Sequence, residues 1–235
     1  MTGFFGPNGP EFRMYSSEHL LALLVLVSVL VGIVMFRSVL RRPIWKRAIR
    51  FGLAIMLIVL YGALQVWYIT ADAWLAAEAL PLQLCTIMLL LAAAALLTRS
   101  YRLYELVYFA GISGALQALL TPVLEIGFPH FWYFYFFVGH GGTVAAAIYL
   151  TAVEQFKPTV KSIYRTMLFL NGLLLVVYPV NLLTGGNYMF VSRKPSTVSL
   201  LDLLGPWPWY LLALEVIALL LFFILYSPFL LKKRR

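Results

Sequence analysis

The stretch Arg41 to Trp74, RRPIWKRAIRFGLAIMLIVLYGALQVWYITADAW, carries five basic residues in its first ten positions and none afterwards. It closes on Trp67, Tyr68, Asp72 and Trp74. Between these ends, residues 48–69 are almost wholly apolar. Lipid offers no partner to a backbone N–H or C=O, so such a run must satisfy its own hydrogen bonds as a helix, and it lacks the period-2 alternation of a barrel strand. The basic end belongs on the cytoplasmic side and the aromatic, acidic end on the other.

Working outward, six further apolar runs of comparable length appear, giving spans at about 20–36, 48–69, 80–97, 103–121, 131–151, 162–183 and 208–231. Each is near the roughly 17 to 25 residues that cross a hydrocarbon core of ~30 Å at 1.5 Å per residue. Fifteen of the 18 Lys and Arg residues lie on alternate connections: Arg37 to Arg50, Arg99 and Arg102, Lys157 to Arg165, and Lys232 to Arg235. The opposite ends hold Arg13, Arg193 and Lys194, beside Glu11, Glu18, Asp72, Glu78, Glu125 and Asp202. The expected fold is therefore all-α: a polytopic membrane helical bundle of seven transmembrane helices over residues 1–235, one domain, N-terminus out and C-terminus in.

Composition excludes a water-soluble globule. Of 235 residues, 63% are hydrophobic and 11% charged, with a mean hydropathy of +0.90, too little polar surface to cover a soluble chain of this length. The net charge of +9 reflects orientation and contact with anionic headgroups, so membrane lipids are the expected partners and nucleic acid is not. No cleavable signal is expected, and the single cysteine, Cys85, excludes an intramolecular disulfide. The oligomeric state is left open. The long connection 184–207 reads either as a lid over the outer end of the bundle or as a plain amphipathic interfacial loop.

Polar side chains inside a membrane need a partner, a cavity or a function. At 1.5 Å per residue, His19, Gln83, Cys85, Gln117 and Asn181 fall near the outer ends of their helices; His140 lies ~13 Å and Glu215 ~10 Å below theirs. With Asp202 on the long connection, these groups describe a polar pocket open to the outer side above a dry inner half. The inner exceptions are Asn171 and Glu105, the latter within reach of Arg102 on its own helix. Each also has a plainer reading: Cys85 as an inert small hydrophobe, His19 as an interfacial anchor, His140 as a satisfied core histidine, Glu215 as a protonated packing contact. The glycines of helices four and five suit close helix approach.

If Cys85 meets a histidine, imidazole activation of the thiol supports acyl transfer through a thioester, with amides such as Gln83, Gln117 or Asn181 near the oxyanion. There is no HExxH or CxxC spacing, so no metal and no cofactor is expected.

SEHL at 17–20, LPLQLC at 80–85, GALQALLTP at 114–122, FFVGHGG at 136–142, and NYMF followed by KP and LLDLLGPWPWY at 187–210 resemble the YwaF-type bacterial integral membrane proteins. The resemblance implies a compact helical bundle in the bacterial plasma membrane. That family is distantly similar to eukaryotic multispan proteins with a cysteine-dependent phospholipid acyltransferase activity, which implies Cys85 as nucleophile and His140 as its base. Gln83 departs from the family pattern, where a histidine is common. The function expected is a cysteine-dependent acyltransferase or hydrolase acting on phospholipids; the alternatives are a non-enzymatic lipid- or solute-binding membrane protein and, third, a transporter.

Overall fold

In the computed structural model, residues 3–6, 8–195 and 200–231 are described. The long helices are α1 (Ser17–Met35), α2 (Pro43–Thr70), α3 (Leu84–Thr98), α4 (Tyr101–Leu120), α5 (Phe131–Ala152), α6 (Val160–Thr184) and α7 (Trp209–Leu231). Their ends follow local chemistry. Pro43 opens α2, where its missing N–H costs nothing. Thr159 and Ser162 form a reciprocal capping box at the start of α6, and Gly185 ends that helix in the left-handed conformation at φ 72°.

Six of the seven are long and apolar enough to cross a membrane. The exception is α3, expected over 80–97 but helical only over its 15 residues from Leu84 to Thr98. That spans ~22 Å, some 8 Å short of a hydrocarbon core. Pro81 disfavours helix in the residue before it, and Gln83 holds an extended backbone (φ −67°, ψ 138°). The truncation puts Cys85 in the first turn of α3 rather than in the second turn of a helix begun at residue 80.

The organising element is α5. Its span is 67% buried against 6% for α1, so α5 is central and α1 peripheral. A Cβ on Gly142 would stand 2.8 Å from Leu57 Cδ2 of α2, and one on Gly141 would stand 3.1 Å from Leu26 Cδ1 of α1. The same run therefore admits two neighbours at close range. The second seam is α4, which packs on α3 and α5 on one side and on α6 and α7 on the other. Within it, Val107–Gly111 forms a π turn.

At one end of the bundle, the buried Glu154 carboxylate lies 2.9 Å from Lys46 Nζ, 2.8 Å from Arg99 Nη2 and 3.9 Å from Arg50 Nε. These contacts are ionic rather than aligned hydrogen bonds. They tie the start of α2 to the ends of α3 and α5. Glu105 is also buried, but its partners are Arg165 at 3.0 Å and the Ser162 hydroxyl of α6, not Arg102. A bond to another helix desolvates the carboxylate and satisfies it at once, which an exposed neighbour on the same helix does not.

At the other end the loops interlock. Phe12 N–H donates to Glu125 O at 2.8 Å, His130 Nε2 donates to Gly6 O at 2.8 Å, and Trp67 Nε1 donates to Phe5 O at 3.1 Å. The N-terminal segment thus fastens the end of α2 to the start of α5.

Candidate functional site

Among the interlocked loops and helices lies a cavity of about 1250 Å³, lined by every long helix except α1. Its wall includes Cys85, His140, Gln83, Gln117, Glu215 and Asp202. Below it sits a packed layer with Leu57, Leu96, Tyr104, Phe109, Tyr149 and Phe222 all buried. Six of the polar residues singled out in the sequence thus line one volume, next to an apolar layer.

Cys85 is exposed to the cavity, and His140 lines the same wall with its imidazole near enough to the thiol for the two to interact electrostatically. His140 Nδ1 lies 2.8 Å from Phe136 O, one turn back along α5. A backbone carbonyl only accepts, so Nδ1 carries the hydrogen and the lone pair is left on Nε2. The Phe136 ring packs on the imidazole at 4.4 Å and limits its rotation. On the cysteine side, Thr86 follows directly along the helix and lines the same wall as a buried residue. No side chain caps the start of α3, so its first-turn N–H groups and the positive end of its dipole remain available to an anion beside Cys85.

The remaining residues divide by what they touch. Gln83 lines the cavity and accepts a hydrogen bond from Met189 N–H at 3.0 Å. Glu215 accepts from Asn171 Nδ2 at 3.0 Å, so Asn171 is part of the same polar layer. Gln117 lines the wall as an exposed side chain. Asp202 sits beside Lys194 at 3.9 Å. Two residues lie outside the cavity wall. His19 is fully buried between Leu119 O, 2.8 Å from Nε2, and Tyr15 N–H, 3.0 Å from Nδ1, with Phe12 and Phe137 against its ring. Both ring nitrogens are occupied: Nε2 joins α1 to α4, and Nδ1 accepts from the turn just before α1. Asn181 is also buried, donating to Tyr188 O at 3.1 Å and accepting from Tyr188 N–H at 2.8 Å.

Those bonds make Tyr188 the pin of the long connection. Its hydroxyl donates to Ala76 O at 2.8 Å and accepts from Leu80 N–H at 2.9 Å. Burial raises this phenol above its ordinary range, so it remains a neutral donor. The connection therefore crosses to the loop before α3, and Asn187, Met189, Phe190 and Leu201 become part of the cavity wall. Part of it, residues 196–199, lies outside the described residues. Met189 and Phe190 both hold positive φ, at 57° and 52°. Two consecutive residues in that region are sustained only where surrounding contacts over-determine them. Sequence reasoning missed Tyr188; the one available signal was a tyrosine in the NYMF motif, without any indication of its partners.

A helical bundle with apolar outward faces, buried ionic ties and a largely apolar cavity that carries a few polar side chains defines a multi-pass integral membrane protein. The model of the TMEM164 family matches residues 14–226, and the chain belongs to that family. No curated protein and no solved structure matches the chain.

Proposed function

We propose that this protein is a membrane-embedded acyl-transfer enzyme acting on phospholipid esters, with Cys85 as nucleophile and His140 as general base. The carrying observation is the neighbouring Cys85 thiol and His140 imidazole on a cavity wall, with the tautomer set by Phe136 O. His140 Nε2 takes the thiol proton, and the thiolate attacks the ester carbonyl carbon. Negative charge on the carbonyl oxygen is met by first-turn N–H groups of α3 and by Thr86. Collapse of the tetrahedral intermediate breaks the ester C–O bond, and the imidazolium gives its proton to the departing lysolipid alkoxide. A thioester on Cys85 remains. A hydroxyl of an acceptor lipid, deprotonated by His140, then attacks the thioester carbonyl; the C–S bond breaks, the acyl group leaves on the acceptor, and the imidazolium returns its proton to the Cys85 thiolate, while water in the acceptor's place gives hydrolysis.

In this reading α3 is a short seventh span, the basic end anchored on Glu154 is cytoplasmic, and the cavity opens toward the outer face of a bacterial plasma membrane. The packed floor of aromatic and aliphatic side chains argues against a transporter, which needs polar groups through both halves. The second reading is a lipid-binding protein without chemistry, favoured by the largely aliphatic wall that α6 and α7 contribute through Leu170, Leu174, Leu214 and Leu221.

An acyl probe that transfers its chain to activated thiols distinguishes them. The wild type forms an acyl adduct on Cys85, Cys85→Ser forms none, and His140→Ala slows adduct formation by roughly 100-fold or more. Labelling of Cys85 at an unchanged rate in His140→Ala removes the catalytic pair. Lipid binding with no adduct in the wild type selects the second reading.

A further inference from the structure

Hydroxyl side chains in membrane helices ordinarily bond back to the carbonyl one turn earlier, because lipid gives them nothing else. Ser28, Thr98, Thr143, Thr151, Thr166 and Thr184 all do so here, at 2.7–2.9 Å. Ser113 of α4 does not. Its Oγ is buried and, among the described residues, has no hydrogen-bond partner, although the residue lines the cavity.

The local cause is the π turn. One turn before Ser113 stands Phe109, inside Val107–Gly111, and its carbonyl already accepts from Ile112 N–H, which also reaches back to Val107 O. The wide turn shifts the carbonyl register just where Ser113 would otherwise bond. Such turns are costly insertions that concentrate at functional sites.

Ser113 also stands at the level of the reactive pair. A Cβ on Gly114 would lie 3.9 Å from Leu84 Cδ2, and one on Gly111 would lie 3.8 Å from Met88 Cβ and 3.1 Å from Thr143 Cγ2. This segment of α4 therefore packs on the first turn of α3, which holds Cys85, and on α5 one turn beyond His140. An unpaired buried hydroxyl is unfavourable in an empty site and becomes favourable when an occupant supplies an acceptor.

We infer that the Ser113 hydroxyl is a ligand-binding donor that hydrogen-bonds the carbonyl oxygen of an ester group held in the cavity. The inference includes a rotation about χ1 that brings the oxygen to the lumen. Its place in the reaction, positioning the carbonyl that Cys85 attacks, rests on the proposed acyl-transfer reading; the binding contact does not.

The test compares a monoacylglycerol with the alkylglycerol ether of the same chain length, which differs in lacking the carbonyl. Binding is read from the concentration dependence of the thermal midpoint of the purified full-length protein. The Cys85→Ser background excludes covalent capture. The ester is expected to bind roughly 3- to 10-fold more tightly than the ether, the range of one neutral hydrogen bond. Ser113→Ala is expected to abolish that preference, leave ether binding unchanged, and leave the unliganded midpoint unchanged or higher. An ester preference that persists in Ser113→Ala overturns the inference. So does equal binding of the two amphiphiles by the unsubstituted hydroxyl, failure of either to bind, or a lowered unliganded midpoint, which marks a structural hydroxyl. Ester preference intact in a protein that never forms a Cys85 adduct sinks the catalytic reading alone.

Discussion

Asn181→Ala separates a residue that supports the cavity from one that acts in it. Asn181 makes two buried hydrogen bonds to the backbone of Tyr188, one to the carbonyl and one from the amide. Truncation leaves both groups beneath the long connection without partners, at about 1–3 kcal/mol each. The segment around Tyr188 then opens more easily by about 2–6 kcal/mol, and even the low end raises the opening constant ~30-fold. Gln83→Ala removes one bond, to Met189 N–H, and is expected to cost about half as much. Hydrogen–deuterium exchange in lipid nanodiscs, followed on peptides covering 186–192, reads the opening directly. Protection is expected to fall most in Asn181→Ala, less in Gln83→Ala, and hardly at all in peptides from α5. Equal protection of the 186–192 segment in Asn181→Ala and wild type would refute the assignment of Asn181 as an anchor, and so would a loss confined to acylation chemistry.

Two further outcomes test the frame around the site. Glu154→Gln keeps the shape of the ionic tie but removes the charge shared with Lys46, Arg50 and Arg99. Because Arg99 is about half exposed and Lys46 about a third, solvent screens part of the attraction, and a loss of about 1–3 kcal/mol is expected, seen as a lower thermal midpoint in detergent. An unchanged midpoint counts against the tie. Gly142→Leu places new atoms against Leu57 and Met56 of α2 and is expected to destabilise by about 1–3 kcal/mol. Gly172→Leu, where a Cβ meets nothing within 4 Å, is the matched control; equal stability of the two variants contradicts the close approach of α2 to α5.

Much of the architecture is local in origin and therefore legible along the chain. A run such as 48–69 must be helical because lipid leaves its backbone no other partner, and the basic residues at alternate connections mark which helix ends share a side. The same logic drew Cys85, His140, Gln83, Gln117 and Glu215 toward one depth, because depth follows from counting residues along a helix. Depth is not azimuth. Counting residues could not tell that His19 turns away to Leu119, or that Asn181 holds a loop rather than a ligand, since both answers depend on which neighbour occupies the adjoining face.

The late start of α3 was hidden for a related reason: LPLQLC is apolar enough to belong to a span, and the extended Gln83 before the helix is held by Met189, a residue 106 positions away. Ser113 carries no signal in sequence at all, because its unpaired state follows from a π turn set by packing between α3, α5 and α7. Sequence alone determined that the chain lives in lipid as apolar helices with one basic end, since each helix answers separately to the bilayer. Only the tertiary structure decided which polar groups face a common cavity, because that depends on the rotation of each helix about its axis and on contacts between residues far apart in the chain.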